Sequence, residues 1–131
     1  MDMNKENMIK SFVINKLGCN CPDELFNIIK WQKDVQIDNN IILNYKINIG
    51  NRLLIYIIEI EDHNIMNDNL VKIFMFGIGE RDNNNFNRFR LAIISNNIAE
   101  IDSIAQNILN NLNIGDQKVH LHIIMKKDFI L

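Results

Sequence analysis

Proline occurs once in this chain of 131 residues, tryptophan once, glycine five times and cysteine twice. No Ser/Pro/Gly-rich linker and no internal repeat divides it, so one domain is the expected count at this length. The longest apolar run, Leu53–Ile58, is far short of the ~20 residues that a membrane-spanning helix needs, so no membrane association is expected. Charge of one sign is also missing: 14 Lys and Arg stand against 16 Asp and Glu, a net −2. That balance gives no broad attraction to nucleic acid or to an anionic membrane, and leaves only a local basic patch for such contacts. The first residues, Met1 to Glu6, lack a basic-then-apolar signal layout, and the expected location is cytoplasmic. The two cysteines, Cys19 and Cys21, are one residue apart. A bridge between them would be strained, so two thiols serving packing, metal or redox chemistry are expected.

What is present is ordinary for a folded protein: 47% hydrophobic and 23% charged residues. Isoleucine (26) and asparagine (23) together fill over a third of the chain. Isoleucine, branched at Cβ, favours strands and supplies a core. The asparagines lie between apolar runs, where they serve turns.

Met8, Ile9, Phe12, Val13 and Leu17 repeat at helical spacing, and Gly18 is a natural stop, so a helix is expected over Asn4–Leu17. Pro22, Asp23 and Glu24 resemble a helix start, and Leu25, Phe26, Ile28 and Ile29 extend the pattern to about Trp31. This reading makes 1–33 a helical hairpin with Cys19-Asn20-Cys21 in its turn. A mixed-sheet core over 41–131 follows. Leu43, Tyr45, Ile47 and Ile49 alternate with polar residues as a half-exposed strand, and Gly50-Asn51 is a hairpin turn. Arg52–Glu61 reads as a central strand covered on both faces. Leu70 to Ile78 reads as a helix, in which Gly77 and Gly79 permit close approach to the sheet. Phe89–Ser95 and Lys118–Met125 are strands, and a capping-box pattern, Asn97 with Glu100, opens a helix between them. The expected class is α/β, with a β-hairpin and two right-handed βαβ crossovers forming a sheet of about four strands flanked by helices. There is room for a short extra strand at Val35–Ile37.

Four constellations carry chemistry. Cys19 and Cys21 with His120 and His122 form a donor set for tetrahedral zinc, or for iron, because residues two apart on a strand face the same way. A thiol beside a helix N-terminus, as expected of Cys21, has a lowered pKa and raised reactivity. Glu61, Asp62, His63, Asn97 and Lys126 lie at the carboxyl ends of the expected parallel strands, where open α/β sheets bind ligands. Arg81, Phe86, Arg88, Phe89 and Arg90 interleave aromatic and basic residues in the manner of a base-stacking surface. Ion pairs from Arg88 and Arg90 to Glu59 or Glu61 are the plainer reading. Gly77-Ile78-Gly79 lacks the third glycine of a nucleotide fingerprint. The apolar Phe129-Ile130-Leu131 either docks on its own domain or joins a subunit interface.

The leading expectation is a small binding or accessory module, metal- or thiol-based through the Cys-x-Cys turn, with a protein partner or a second copy of itself. Its first rival is a small enzyme with a site near Glu61–His63. Its second is a structural, self-associating subunit.

Overall fold

The computed structural model describes residues 3–62 and 66–131. His63 lies outside the described residues. Helix α1 (Met3–Asn15) comes first, and a single 3-10 turn (Asp23–Asn27) follows. Strands β1 (Ile29–Asp38), β2 (Ile41–Ile49) and β3 (Leu53–Glu59) form an antiparallel meander. Helix α2 (Met66–Asn83) leads to β4 (Arg88–Ser95), and helix α3 (Ile98–Leu112) to β5 (Val119–Met125). β4 is parallel to β3, and β5 to β4, giving one mixed sheet in the order β1-β2-β3-β4-β5. The α/β class therefore holds. No described helix is long and apolar enough to cross a membrane.

The expected second helix is not there, and the sheet has five strands. Pro22, Asp23 and Glu24 open one 3-10 turn, after which the chain extends into β1. From Ile29 onward the apolar residues fall at Ile29, Trp31, Val35 and Ile37, an alternation that suits a strand. β1 pairs along β2 from Ile29↔Ile49 to Asp38↔Ile41, and a short helix cannot match that ladder of backbone hydrogen bonds. The expected extra strand at Val35–Ile37 is the far end of β1. The sheet thus begins at Ile29, not at residue 41.

The two faces of the sheet carry separate cores. On one, Leu54, Tyr56, Phe89, Leu91 and Ile93 meet Leu70, Ile73 and Phe74 of α2 and Ile101 and Ala105 of α3. Gly77 of α2 sits directly on Phe89: a Cβ there would lie 2.1 Å from the ring's Cζ, so glycine sets how closely this helix approaches β4. On the other face, Ile9, Phe12 and Val13 of α1, with Leu17 just after it, cover Tyr45, Ile47, Ile55, Ile57, Ala92 and Ile94. Phe129 of the apolar tail packs edge-on to Phe12 and Tyr45, and the Tyr45 hydroxyl donates to the Leu131 carbonyl at 2.8 Å. The tail is docked on its own chain.

Two turns are fixed by residues that tolerate positive φ. Gly50 (64°) and Asn51 (56°) close the β2–β3 hairpin as expected, and Leu25 lies so close to Gly50 that no side chain fits there. Gly18 (63°) ends α1 and turns the chain toward the cysteines, with the Cys19 N–H donating back to the Val13 carbonyl at 3.1 Å.

Candidate functional site

The period-2 geometry of β4 sends Phe89, Leu91 and Ile93 toward α2 and α3, and Arg88, Arg90, Ala92 and Ile94 toward α1. The basic and aromatic residues expected to form one stacking surface are therefore split between opposite faces, and Phe89 is fully buried. Arg81 is held elsewhere, by Asp116 at 2.6 Å and Asp82 at 2.9 Å, tying the end of α2 to the segment before β5. Nor do Arg88 and Arg90 pair with glutamate. In the parallel register they lie beside Leu53 and Ile55, at the opposite end of β3 from Glu59, which pairs with Lys126 at 2.6 Å.

The partners of these arginines come from β5 and from the turn after α1. Arg90 Nη1 donates to the Leu17 carbonyl at 2.9 Å and lies 2.9 Å from His122 Nε2. Arg88 Nη1 lies 3.1 Å from His120 Nε2. A guanidinium has donors only, so each imidazole must accept through Nε2 and carry its proton on Nδ1. Burial, then Arg90 and then His120, push the His122 pKa down to about 4. Burial, followed by Arg90 and Arg88, lowers that of His120 as well.

Arg90 itself is only 8% exposed, and its buried Nε has no hydrogen-bond partner among the described residues. Among the described residues no carboxylate forms an ion pair with Arg52, Arg88 or Arg90. Burial, and then the charge of Arg88, lower the Arg90 pKa. The guanidinium borders a cavity of about 400 Å³ between the Cys-x-Cys turn and the start of β4. Arg52 and Arg88 line it as well, with Asn20 and Asn87 as neutral polar groups and Leu25 and Leu53 as apolar wall. No aspartate or glutamate is among its lining residues.

Cys21 stands on the rim of this cavity, but not as a free thiol. Cys19 and Cys21 form a disulfide, with Cα atoms 5.3 Å apart, which corrects the expectation of an unbridged pair. The proposed zinc or iron site of Cys19, Cys21, His120 and His122 is not assembled. The sulfurs are bonded to each other, both Nε2 lone pairs face arginines, and two guanidinium charges occupy the place a cation would need. Among the described residues no group of three or more His, Cys, Asp or Glu side chains could hold a metal ion.

The strand-end candidates come together, but mostly on one another. The Glu61 carboxylate accepts from Ser95 Oγ (3.2 Å) and from the Asn96 N–H (3.1 Å), so the chain's own anion occupies the start of α3. Asn97 Nδ2 donates to the Glu61 carbonyl at 3.3 Å, and Asn97 makes no side-chain cap, so the expected capping box with Glu100 does not form. Lys126 is held by Glu59, which raises its pKa. Asp62 is exposed beside this group.

A second cleft, of about 380 Å³, lies between β1, β2 and the end of α2. Its carboxylate, Glu80, is already held by Lys46 at 2.7 Å and by the Tyr56 hydroxyl at 2.5 Å. The arginine cavity differs in having charge without a counter-charge. Sequence reasoning missed Arg52, which no pattern marks. The two alternating arginines in an otherwise apolar strand, Arg-Phe-Arg-Leu-Ala-Ile-Ile, were the signal for the rest.

No family model, no curated protein and no solved structure matches this chain.

Proposed function

We propose that this protein is a binding module for a small anionic ligand, seated in the cavity between the Cys-x-Cys turn and the arginines of β4. The observation that carries the reading is Arg90: a guanidinium 8% exposed, with an unbonded Nε and no carboxylate partner among the described residues. A buried charge without a counter-charge costs several kcal/mol, and an anion entering the cavity offsets that cost. Arg52 and Arg88 add two further forks suited to phosphate or carboxylate oxygens. Asn20 and Asn87 supply neutral polar groups, and Leu25 and Leu53 suit an apolar portion of the ligand. The cavity is larger than one oxyanion, so the ligand is a phosphorylated or carboxylated small molecule rather than a free ion. His120 and His122 serve as neutral acceptors that orient the arginines.

Inorganic phosphate tests the reading as the minimal probe. Isothermal titration of the full chain should give saturable binding that weakens as salt rises and vanishes in Arg90→Met. Absence of any saturable heat at millimolar phosphate, with the protein folded, overturns it.

A further inference from the structure

Cys21, one end of the Cys19–Cys21 bridge, forms part of the rim of the arginine cavity, and the two sulfurs are not equivalent. Cys19 is buried against α1 and Phe26, whereas Cys21 is half-buried and lines the cavity with Arg52, Arg88 and Arg90. One residue separates the two, so opening the bond releases no distant part of the fold. What changes is charge. The bonded sulfurs are neutral, while a free Cys21 thiol would share its cavity with three arginines, whose positive charge favours the thiolate. The other charged and titratable groups near the turn are His120 and His122 behind the arginines, Asp23 paired with Lys10 at 2.9 Å, and Glu24 beside it.

We propose that Cys19–Cys21 is a redox-active dithiol–disulfide couple whose oxidised form is the anion-binding form, an inference that rests on the anion-site reading above. The reductant is a dithiol. Its thiolate attacks Sγ of Cys21, the accessible sulfur, and the Cys19–Cys21 bond breaks. Cys19 leaves with the electron pair and takes up a proton. The reductant's second thiol, losing its proton to solvent, attacks its own sulfur in the mixed disulfide and releases Cys21 as a thiolate. Two electrons pass to the protein, and the dithiol leaves as its disulfide. The Cys21 thiolate then competes with the ligand for the same guanidinium groups. In a reducing compartment this keeps the site weak, and local oxidation strengthens it. Linkage requires the reverse as well: a bound anion makes the bridge harder to reduce by the same factor.

The test measures phosphate affinity of the full chain, oxidised and after dithiothreitol treatment, at mildly alkaline pH. The reduced chain should bind about fivefold or more weakly. The double variant Cys19→Ser/Cys21→Ser, with neither bridge nor thiolate, should bind more tightly than the reduced chain and show no change in affinity on dithiothreitol treatment. Saturating phosphate should raise the dithiothreitol ratio needed for half-reduction, read by thiol labelling. Equal affinity in the two redox states overturns this inference and leaves the anion site standing. A serine variant as weak as the reduced chain overturns it too, since charge is then not the cause. No phosphate binding in either state removes the anion site itself.

Discussion

Arg90 Nη1 lies 2.9 Å from His122 Nε2, while the buried Arg90 Nε has no hydrogen-bond partner among the described residues. Nη1 is thus held by β5 and by the turn after α1, while the enclosed Nε goes without an acceptor and the residue borders the cavity. The histidine fixes where the arginine sits without neutralising it. This division of labour separates Arg90 from Arg81, whose two aspartates compensate its charge from within the chain.

Replacing Arg90 by methionine should remove the response to phosphate and leave the fold intact. The buried stem is retained and the uncompensated charge is gone, so the unliganded protein should lose less than about 2 kcal/mol, chiefly from leaving Leu17 O and His122 Nε2 without a donor. Thermal melts with and without phosphate read both effects. A melt of Arg90→Met that still shifts with phosphate would contradict the assigned role.

Stability should fall as the solution is acidified through the histidine range. The His122 pKa is about 4 in the folded chain against an ordinary value near 6.5. Between these values the unfolded chain takes up a proton that the native one refuses, so the native state loses ground as pH drops from ~6.5 to ~4. His120 acts in the same direction. The urea midpoint should decline over this window, and His122→Gln should flatten the decline. An unchanged slope in the variant would assign the effect elsewhere.

Gly77→Ala should destabilise by about 1–3 kcal/mol, because the added methyl meets the Phe89 ring and helix α2 must shift away from β4. Gly79, two residues on, has open space around its missing Cβ. Gly79→Ala should therefore be neutral or stabilising by up to ~1 kcal/mol through helix propensity. Chemical denaturation of the two variants compares them directly, and equal effects would refute the packing argument.

Tyr56→Phe should cost about 1–2 kcal/mol, since the hydroxyl donates to the Glu80 carboxylate at 2.5 Å from a position only 1% exposed. Burial first, and then Glu80, raise the phenol's pKa, so in a Tyr45→Phe background, where Tyr56 is the one remaining tyrosine, no tyrosinate should appear in an alkaline ultraviolet titration before the protein unfolds. Tyr56 titrating at the ordinary value in that background, with the protein still folded, would show this hydrogen bond to be absent.

Local periodicity determined much of the fold. The apolar spacings of α1, α2 and α3, the alternation in β2, the continuous run of β3 and the Gly50-Asn51 turn each act within a few residues, so the chain's order of elements was readable from them. Residues 22–38 were not: Pro22, Asp23 and Glu24 favour a helix start locally, and pairing with β2 overrules them. The site divides in the same way. Period 2 on a strand already put His120 with His122, and Arg88 with Arg90, on shared faces. Only the register of β4 against β5 set arginine against histidine instead of histidine against metal, and only the return of the turn after α1 placed Cys21 and Arg52 at the same cavity. Such meetings depend on contacts between residues far apart in the chain, and no local pattern encodes which distant partner a charged side chain will find.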